Sequence, residues 1–346
     1  MELYMQNTHT LKARWNQLRE QQPKLRIRDA AQQLQVSELD LLALGCGETC
    51  TRLQADFPAL LQQLHTLGEV MALTRSNACV HEVHGQFGEL HQKGNTALFF
   101  RPGQDTRYFL DHWSYAYAVN ENQRFSLQFF DATGLALHKI YLTEHSYQAA
   151  YEQLIETFRH KDQSCQVEVQ TADSLTTAPI YTGEIDPSAL RLAWSKLHDV
   201  HEANQLIRQY HNDRSAVYQA LGEAYARCLS SNTVEALLQQ LAEQQIPFIL
   251  FGMNAAAVQS YSGTIQKLLQ TGPWFNVLDP TFNLHLRTDE IAEVWWVRKP
   301  SQDGWLHSLD VLDQQGQEIM VMTDQRKRGE AESANWTQLL QQLSTV

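Results

Sequence analysis

The feature that most constrains the fold of this 346-residue sequence is an internal repeat with a period of about 178 residues. The matching positions keep a nearly constant separation. They are Trp15 and Trp194, Val80 and Val258, Gly85 and Gly263, and the turns at 131–134 and 313–316. Units of solenoid proteins are far shorter, on the order of 20 to 50 residues. The period therefore indicates a duplicated domain.

The order of predicted elements is the same in both halves. Segments with helical periodicity are followed by short β-branched and aromatic segments bounded by turn residues, and then by one more helix. These regions are helices up to about residue 70, strands over 71–143 and a helix over 146–158, then helices over 189–244, strands over 247–322 and a helix over 335–343. We predict an α+β fold, a tandem duplication of a unit with N-terminal helices, a large antiparallel sheet and a C-terminal helix.

A linker is predicted at residues 172–188, which are rich in Thr, Ser, Pro and Gly and lack helical periodicity. It divides the chain into an N-terminal repeat, residues 1–178, and a C-terminal repeat, residues 179–346. We expect each half to form its own antiparallel sheet. A cleft between or beside the halves is then the expected place for a large ligand.

Composition excludes several classes of protein. The formal net charge of -12 and the lack of a basic stripe argue against nucleic acid as a partner. Apolar runs such as residues 246–251 are far shorter than the roughly 20 residues of a membrane-spanning helix. The N-terminus lacks the apolar region of a secretory signal, so we expect a cytoplasmic protein. The five scattered cysteines are typical of reduced thiols.

Common catalytic motifs are missing from the sequence. It contains no G-x-S-x-G elbow, no Walker A loop and no G-x-G-x-x-G after a strand. His198 and His201 are spaced i, i+3 in a segment of helical periodicity, which predicts both rings on one helix face. A catalytic zinc needs a third protein ligand, and none is evident. A metal-dependent hydrolase built around His198 and His201 stays an alternative, as does a surface role for the pair.

Isolated basic residues lie in or beside apolar segments of a chain rich in histidine and aromatic residues. Arg107 and Lys299 are in predicted strands, and Arg214 comes directly after Asn212 and Asp213. Each one alone is compatible with a surface ion pair or with a side-chain stem lying on apolar surface. Together with the 14 histidines they suit a large flat apolar ligand that carries carboxylates at one edge and accepts an imidazole at its centre. Haem has these properties.

The sequence resembles a known family over essentially its full length. The most specific stretches are residues 77–82, 129–131, 199–201, 279–286 and 291–300. They are similar to those of the bacterial cytoplasmic haem-uptake proteins of the HemS, ChuS, HmuS and PhuS group. That family is itself a tandem duplication of an α+β unit, in agreement with the repeat found above.

The resemblance implies roles for particular residues. His201 resembles the family's proximal haem ligand, which would hold the iron through an imidazole nitrogen. Arg107 resembles the family's distal arginine, and Phe109 an aromatic wall residue. Three further basic residues fall where the family has cations near the haem propionates, namely Arg214, Lys299 and Arg326.

The resemblance leaves the roles of two residues open. His81 is similar to a residue proposed as a second or transfer ligand in relatives, and the alternative is a buried structural histidine. Where relatives carry Tyr three residues before the last arginine, this chain has Thr323. The phenol contact to the haem edge is therefore in doubt, although Thr can still donate a hydrogen bond.

The function implied is haem handling in a haem-uptake system. One form is delivery of haem from an inner-membrane transporter to a downstream haem oxygenase. Another is degradation of haem by the protein itself, with release of iron and with Arg107 as the catalytic residue. Chaperone or storage activity without turnover is a further alternative, and the sequence does not separate these.

Overall fold

The computed structural model describes residues 2–100, 103–171, 184–210, 213–327 and 329–343. The predicted boundary between residues 178 and 179 and most of the predicted linker lie outside the described residues. The helices are α1 Glu2–Gln21, α2 Ile27–Leu34, α3 Glu38–Ala43, α4 Phe57–Gln62, α5 Gln148–Phe158, α6 Pro187–Ser195, α7 Val200–Arg208, α8 Arg214–Leu221, α9 Thr233–Gln244 and α10 Ala334–Leu343.

Strands from each half form the larger part of one sheet. In the first half they are β1 Cys50–Leu53, β2 Gly68–Arg75, β3 Cys79–Gln86, β4 Leu90–Lys93, β5 Thr96–Phe99, β6 Thr106–Phe109, β7 Tyr115–Glu121, β8 Arg124–Phe130 and β9 Ala136–Ser146. In the second half they are β10 Ala226–Leu229, β11 Phe248–Asn254, β12 Ala257–Gly263, β13 Leu268–Thr271, β14 Trp274–Leu278, β15 Phe282–Arg287, β16 Ile291–Ser301, β17 Gly304–Asp313 and β18 Glu318–Asp324.

The element order confirms the α+β duplication. Gly85 and Gly263 share a backbone conformation, with φ of 154° and 156°. One correction concerns β1 and β10, which lie in regions predicted to be helical. Each has four residues, too few to show a period of two between flanking helical segments.

The two antiparallel sheets exchange strands between the halves. The first sheet has the order β1-β7-β8-β9-β2-β3-β15-β14-β13, and the second has the order β10-β16-β17-β18-β11-β12-β6-β5-β4. Leu284 of β15 pairs with His81 of β3, and Arg107 of β6 pairs with Val258 of β12. The expectation that each half forms its own sheet is wrong. Because β3 and β12 are equivalent strands, the repeat pattern does not say which of them accepts β6.

The hydrophobic cores cross between the halves as well. Ala78, Cys79 and Val83 of the first half are buried in the core that α9 and α10 cover. Ala256 and Ala257 of the second half are buried in the core that α4 and α5 cover. Separating the halves would therefore expose apolar surface in addition to strand edges.

Candidate ligand site on the second sheet

One face of the second sheet is apolar and only partly covered. In β11 the buried residues Phe248 and Leu250 alternate with the half-buried Ile249 and Phe251, because successive side chains point to opposite sides of a strand. The strand pairings place the half-buried side chains of neighbouring strands on that same side. They are Leu98, Arg107, Phe109, Ile249, Phe251, Met253, Val258, Val321 and Thr323. We call this set the open face.

Arg107 lies within this apolar surface, with Val258 on one side and Leu98 on the other. Phe109 is two residues further along β6 and points to the same side. In the described part of the chain, no hydrogen-bond or ion-pair partner of the Arg107 guanidinium is found. The structure thus places a permanent cation on the open face with its donors unused.

The helix that carries His201 packs on β16, on the same side of the second sheet as the open face. Ala203 and Ile207 of α7 are buried in the cluster that includes Trp295 of β16. Asp199 caps α7 by accepting a hydrogen bond from the backbone N–H of His201 at 2.7 Å. The imidazole ring of His201 is exposed, and its nitrogens have no hydrogen-bond partner among the described residues.

His198 does not share a helix face with His201, contrary to the expectation from their spacing. It precedes the N-cap Asp199, in the connection between α6 and α7. Its backbone N–H donates to the carboxylate of Glu202 at 2.7 Å, so this segment serves to cap α7. Over the described ranges, no group of three or more His, Cys, Asp or Glu side chains is placed to hold a metal ion.

Arg214 and Lys299 belong to a buried charged network that ties α8 to the sheet. Arg214 pairs with Glu318 at 2.9 Å, and Lys299 pairs with Asp310 at 3.2 Å. The Tyr218 hydroxyl donates to Asp310 at 2.6 Å and joins the two pairs. Both cations therefore already have carboxylate partners within the protein.

The charges of the network shift its pKa values. Burial lowers the pKa of Arg214, but the combined effects of Glu318, Tyr218 and Asp310 outweigh burial and raise this pKa above its ordinary value. Burial acts to raise the pKa of Asp310, yet the charge of Lys299, together with hydrogen bonds from Ser308 and Tyr218 and the charge of Arg214, lowers it overall. Asp310 is fully buried, and a carboxylate in that position needs its cationic partner.

Arg326 lies at the same end of the second sheet as His201. Its guanidinium donates to Asp303 at 2.8 Å, in the turn between β16 and β17. The neighbouring Gln302 donates its backbone N–H to the carbonyl of His198 at 3.0 Å. The turn therefore connects the segment before His201 with Arg326.

His81 is separated from the other predicted site residues. It points away from the exposed side of β3, is fully buried, and lies between the two sheets. A side-chain carbon at Gly252 of β11 would approach the His81 Cβ to 2.5 Å. Burial lowers the pKa of His81 to about 3. The position of His81 is that of a buried structural histidine. No contact among the described residues supports the other interpretation, a second or transfer ligand for haem.

Sequence reasoning missed the carboxylates that neutralise the predicted cations. Asp310 and Glu318 had no role in the prediction, although both contact residues that did. An acidic residue at position 310, between Leu309 and Val311 in an apolar strand, was the available signal. A charge in such a place is generally paired.

No helix within the described ranges combines the length and apolar character needed to cross a membrane.

The five cysteines are free thiols. The thiols of Cys46 and Cys50 interact, and their hydrogen bond lowers the pKa of Cys46 to about 6.

Comparison with known proteins gives a consistent result. A family model described as "Haemin-degrading HemS.ChuX domain" matches residues 35–158 and again residues 212–343. The chain is 32% identical to "Hemin transport protein HmuS" of Yersinia pestis, over 94% of this chain and 95% of that protein. It is 33% identical to "Hemin transport protein HemS" of Yersinia enterocolitica, over 89% and 90% of the two chains.

Solved structures share the whole fold. Holo-PhuS, a haem-binding protein from Pseudomonas aeruginosa, superposes with a TM-score of 0.92 at 37% identity, over 97% of this chain and 99% of that one. ChuS, described as an E. coli haem oxygenase, superposes with a TM-score of 0.84 at 28% identity, over 96% and 98%. The likeness covers both halves and the exchanged strands between them.

Proposed function

The chain belongs to the haemin-degrading HemS/ChuX domain family, and from this premise we propose that it binds haem on the open face of its second sheet. The proposed proximal ligand is His201, and Arg107 and Phe109 contribute from the first half. The biological role is haem handling in a haem-uptake system, as the names of the HmuS and HemS relatives suggest.

The observation that carries this proposal is a pair of polar side chains with unused bonding capacity on the side of the second sheet that carries the open face. The His201 ring at the start of α7 and the Arg107 guanidinium on β6 both lack partners among the described residues. By contrast, Arg214, Lys299 and Arg326 are all paired with carboxylates. These side chains suit a ligand that binds to an apolar surface, is coordinated by one imidazole and accepts a hydrogen bond from one donor.

The side chains present fit haem by their chemistry. A neutral imidazole is a usual iron ligand, and His201 is free to supply one. Bound haem supplies a redox-active iron inside an apolar macrocycle with two carboxylates. The open face offers Ile249, Phe251 and Val258 to the macrocycle. Arg107 stays charged at any physiological pH, so it donates hydrogen bonds and does not act as a base.

The basic residues proposed to contact the propionates differ in the exposure of their side chains. Arg214 and Lys299 hold carboxylates of the protein, with side-chain exposures of 14% and 12%. Arg326 is more accessible at 21% and can add a contact while still bonded to Asp303. Of the three, Arg326 is the one that we assign to direct propionate contact. Arg214 and Lys299 keep α8 and β16 in place beside the site.

Delivery of haem is the first candidate activity, and haem degradation is the second. The second is favoured by Arg107, which would donate hydrogen bonds toward the reacting side of a haem held by His201. We propose a cytoplasmic location, an inner-membrane haem transporter as donor and a haem oxygenase as acceptor. We also propose that the halves 1–178 and 179–346 act as one binding unit.

The test is a haem titration of the full chain, followed by incubation of the complex with ascorbate, oxygen and catalase. Binding of one haem per chain, with loss of the Soret band and appearance of a ring-opened product, supports degradation. A Soret band that stays stable under these conditions, and shifts to that of myoglobin when apo-myoglobin is added as acceptor, supports delivery alone. Failure to bind one haem with an imidazole-ligated spectrum contradicts the proposed function.

A further inference from the structure

The first half contains a cavity of about 450 Å³ that the haem proposal does not use. It lies between α2, the start of α3, the end of β2 and the exchanged strands β14 and β15. Its polar wall includes Arg28, Arg75 and Arg287, and Trp274 gives it an apolar side. Leu73 and Tyr141 pack near Trp274 on the same face of the first sheet.

This cavity is the internal counterpart of the site proposed on the second sheet. Arg28 is the second residue of α2, as His201 is the second residue of α7. Glu38 begins α3, as Arg214 begins α8. Arg75 pairs with Val80 in the way that Met253 pairs with Val258. The first half has thus kept a cavity at the position equivalent to the site proposed on the second sheet, and the residues that line the cavity are different.

The first half carries different residues at the positions equivalent to His201 and Arg107. A guanidinium has five N–H donors and no acceptor lone pair, so Arg28 cannot replace the imidazole of His201 as an iron ligand. The counterpart of Arg107 on β15 is His285, whose Nδ1 is already 2.7 Å from Oδ1 of Asn276. The space in the first half is therefore lined by arginines, which favour an anion, and it has no imidazole where His201 stands in the second half.

Two cations in the cavity wall have no carboxylate partner. Within the described residues, neither Arg28 nor Arg75 makes an ion pair within 4.0 Å. Arg28 donates only to the carbonyl of Ser76 at 3.4 Å and to the Asn77 side chain. The Nε of Arg75 is buried and has no hydrogen-bond partner among those same residues.

The carboxylates of the cavity wall are Asp29, Glu38 and Glu290, and none of them lies within 4.0 Å of the Arg28 or Arg75 guanidinium, although the charges of Asp29 and Glu38 act on both arginines from further away. Glu38 is engaged with Lys139 at 2.5 Å. Glu290 pairs with Arg287, which also binds Asp289 at 2.7 Å. Burial, with a smaller contribution from Arg28, lowers the pKa of Arg75 to about 10, so its charge is unfavourable there without an anion.

We propose that this first-half cavity binds a small organic anion, with a carboxylate or phosphate group held by Arg28 and Arg75 and its apolar part against Trp274. Arginine guanidinium groups bind both anions through paired N–H donors. The space available is about 450 Å³, so a ligand smaller than haem fits it. The site is independent of haem binding on the second sheet.

The test is isothermal titration calorimetry of the full chain with two probes in separate arms, inorganic phosphate and phenylacetate. Binding of one equivalent of either probe is expected, and the probe that binds identifies the anionic group. Arg75→Met, which installs the residue found at the equivalent position 253, should weaken binding at least tenfold, as loss of a charge-assisted hydrogen bond predicts. Arg28→Gln should have a similar effect. Arg52→Gln, which removes an arginine outside the cavity, is the control.

Near-ultraviolet circular dichroism of each variant establishes that the fold is intact. If Arg75→Met does not fold, Arg28→Gln alone decides the question. The proposal is overturned if the native chain binds neither probe, or if binding is the same in native chain, Arg28→Gln and Arg75→Met. Loss of haem binding in the native chain would contradict the haem proposal and leave this test unaffected.

Discussion

Arg107 of the first half lies directly opposite Val258 of the second half in the antiparallel pair of β6 and β12. Arg107 is therefore a fixed element of the sheet that faces α7, and it does not reach across a cleft from a separate domain. The same pairing closes the edge of β12, which would otherwise expose unpaired backbone groups. The proposed site and the stability of the fold depend on the same strand exchange.

The strand exchange predicts that the halves do not behave as separate domains. Fragments 1–178 and 179–346, coexpressed with a tag on one of them, should copurify, because three strands of each half are paired in the sheet of the other. Urea unfolding of the pair should show one transition. Two fragments that purify separately as folded monomers would contradict the exchange.

His201→Ala should weaken haem binding at least tenfold and shift the Soret maximum, because the proposed iron ligand is lost. The measurement is an absorbance titration with haemin. His198→Ala is the matched control, since the His198 ring lies outside α7 and only its backbone takes part in the cap. An unchanged spectrum and affinity in His201→Ala would assign the iron to another residue.

Arg107→Ala should alter the pH dependence of the visible spectrum of the haem complex more than it alters haem affinity. The physical reason is that the Arg107 donors are free and its charge is fixed. The rate of haem loss under ascorbate should also change by roughly tenfold, as expected for one charge-assisted hydrogen bond. Arg107→Lys keeps the charge and loses the planar fork, and serves as the comparison. A loss of affinity without a change in the pH profile would make Arg107 a structural or propionate residue.

Arg214→Ala should destabilise the fold by about 3 to 5 kcal/mol, because it leaves Glu318 buried without its cation. Glu318→Gln should cost less, and the double variant should cost less than the sum of the two single changes. Urea unfolding monitored by fluorescence measures all three free energies. Full stability of Arg214→Ala, with haem affinity alone reduced, would instead indicate direct contact with the ligand.

Acid should destabilise the protein through two buried histidines. Burial lowers the pKa values of His81 and His138 to about 3, while the unfolded chain keeps the ordinary value near 6.5. Below pH 6.5 the unfolded state therefore binds more protons, and the free energy of unfolding falls as pH decreases towards 3. The expected loss at pH 5 is about 2 kcal/mol for each histidine.

His81→Gln should reduce this pH dependence and keep the fold, because Gln259 occupies the equivalent buried position in the second half. The comparison is His145→Gln, which changes an exposed histidine and should leave the slope unaltered. Unfolding free energies measured between pH 7 and pH 5 give the result. An equal slope in native protein and His81→Gln would show that His81 is protonated in the folded state.

The sequence by itself determined the duplication, the α+β class and the family. Periodicity and turn residues are local properties, and the equivalence of Gly85 and Gly263 follows from their positions in the repeat alone. The candidate residues Arg107, Phe109 and His201 could also be named in advance, since the family resemblance covers the full length of the chain.

Only the tertiary structure decided which half supplies each strand and which cations are free. Strands β3 and β12 have the same pattern, so the pairing of β6 depends on long-range packing of the cores and not on its own residues. The pairing of Arg214 with Glu318 joins residues more than a hundred positions apart in the chain. Arg28 and Arg75 likewise differ from Arg214 only in their surroundings, because charge compensation is set by distances that a sequence pattern does not contain.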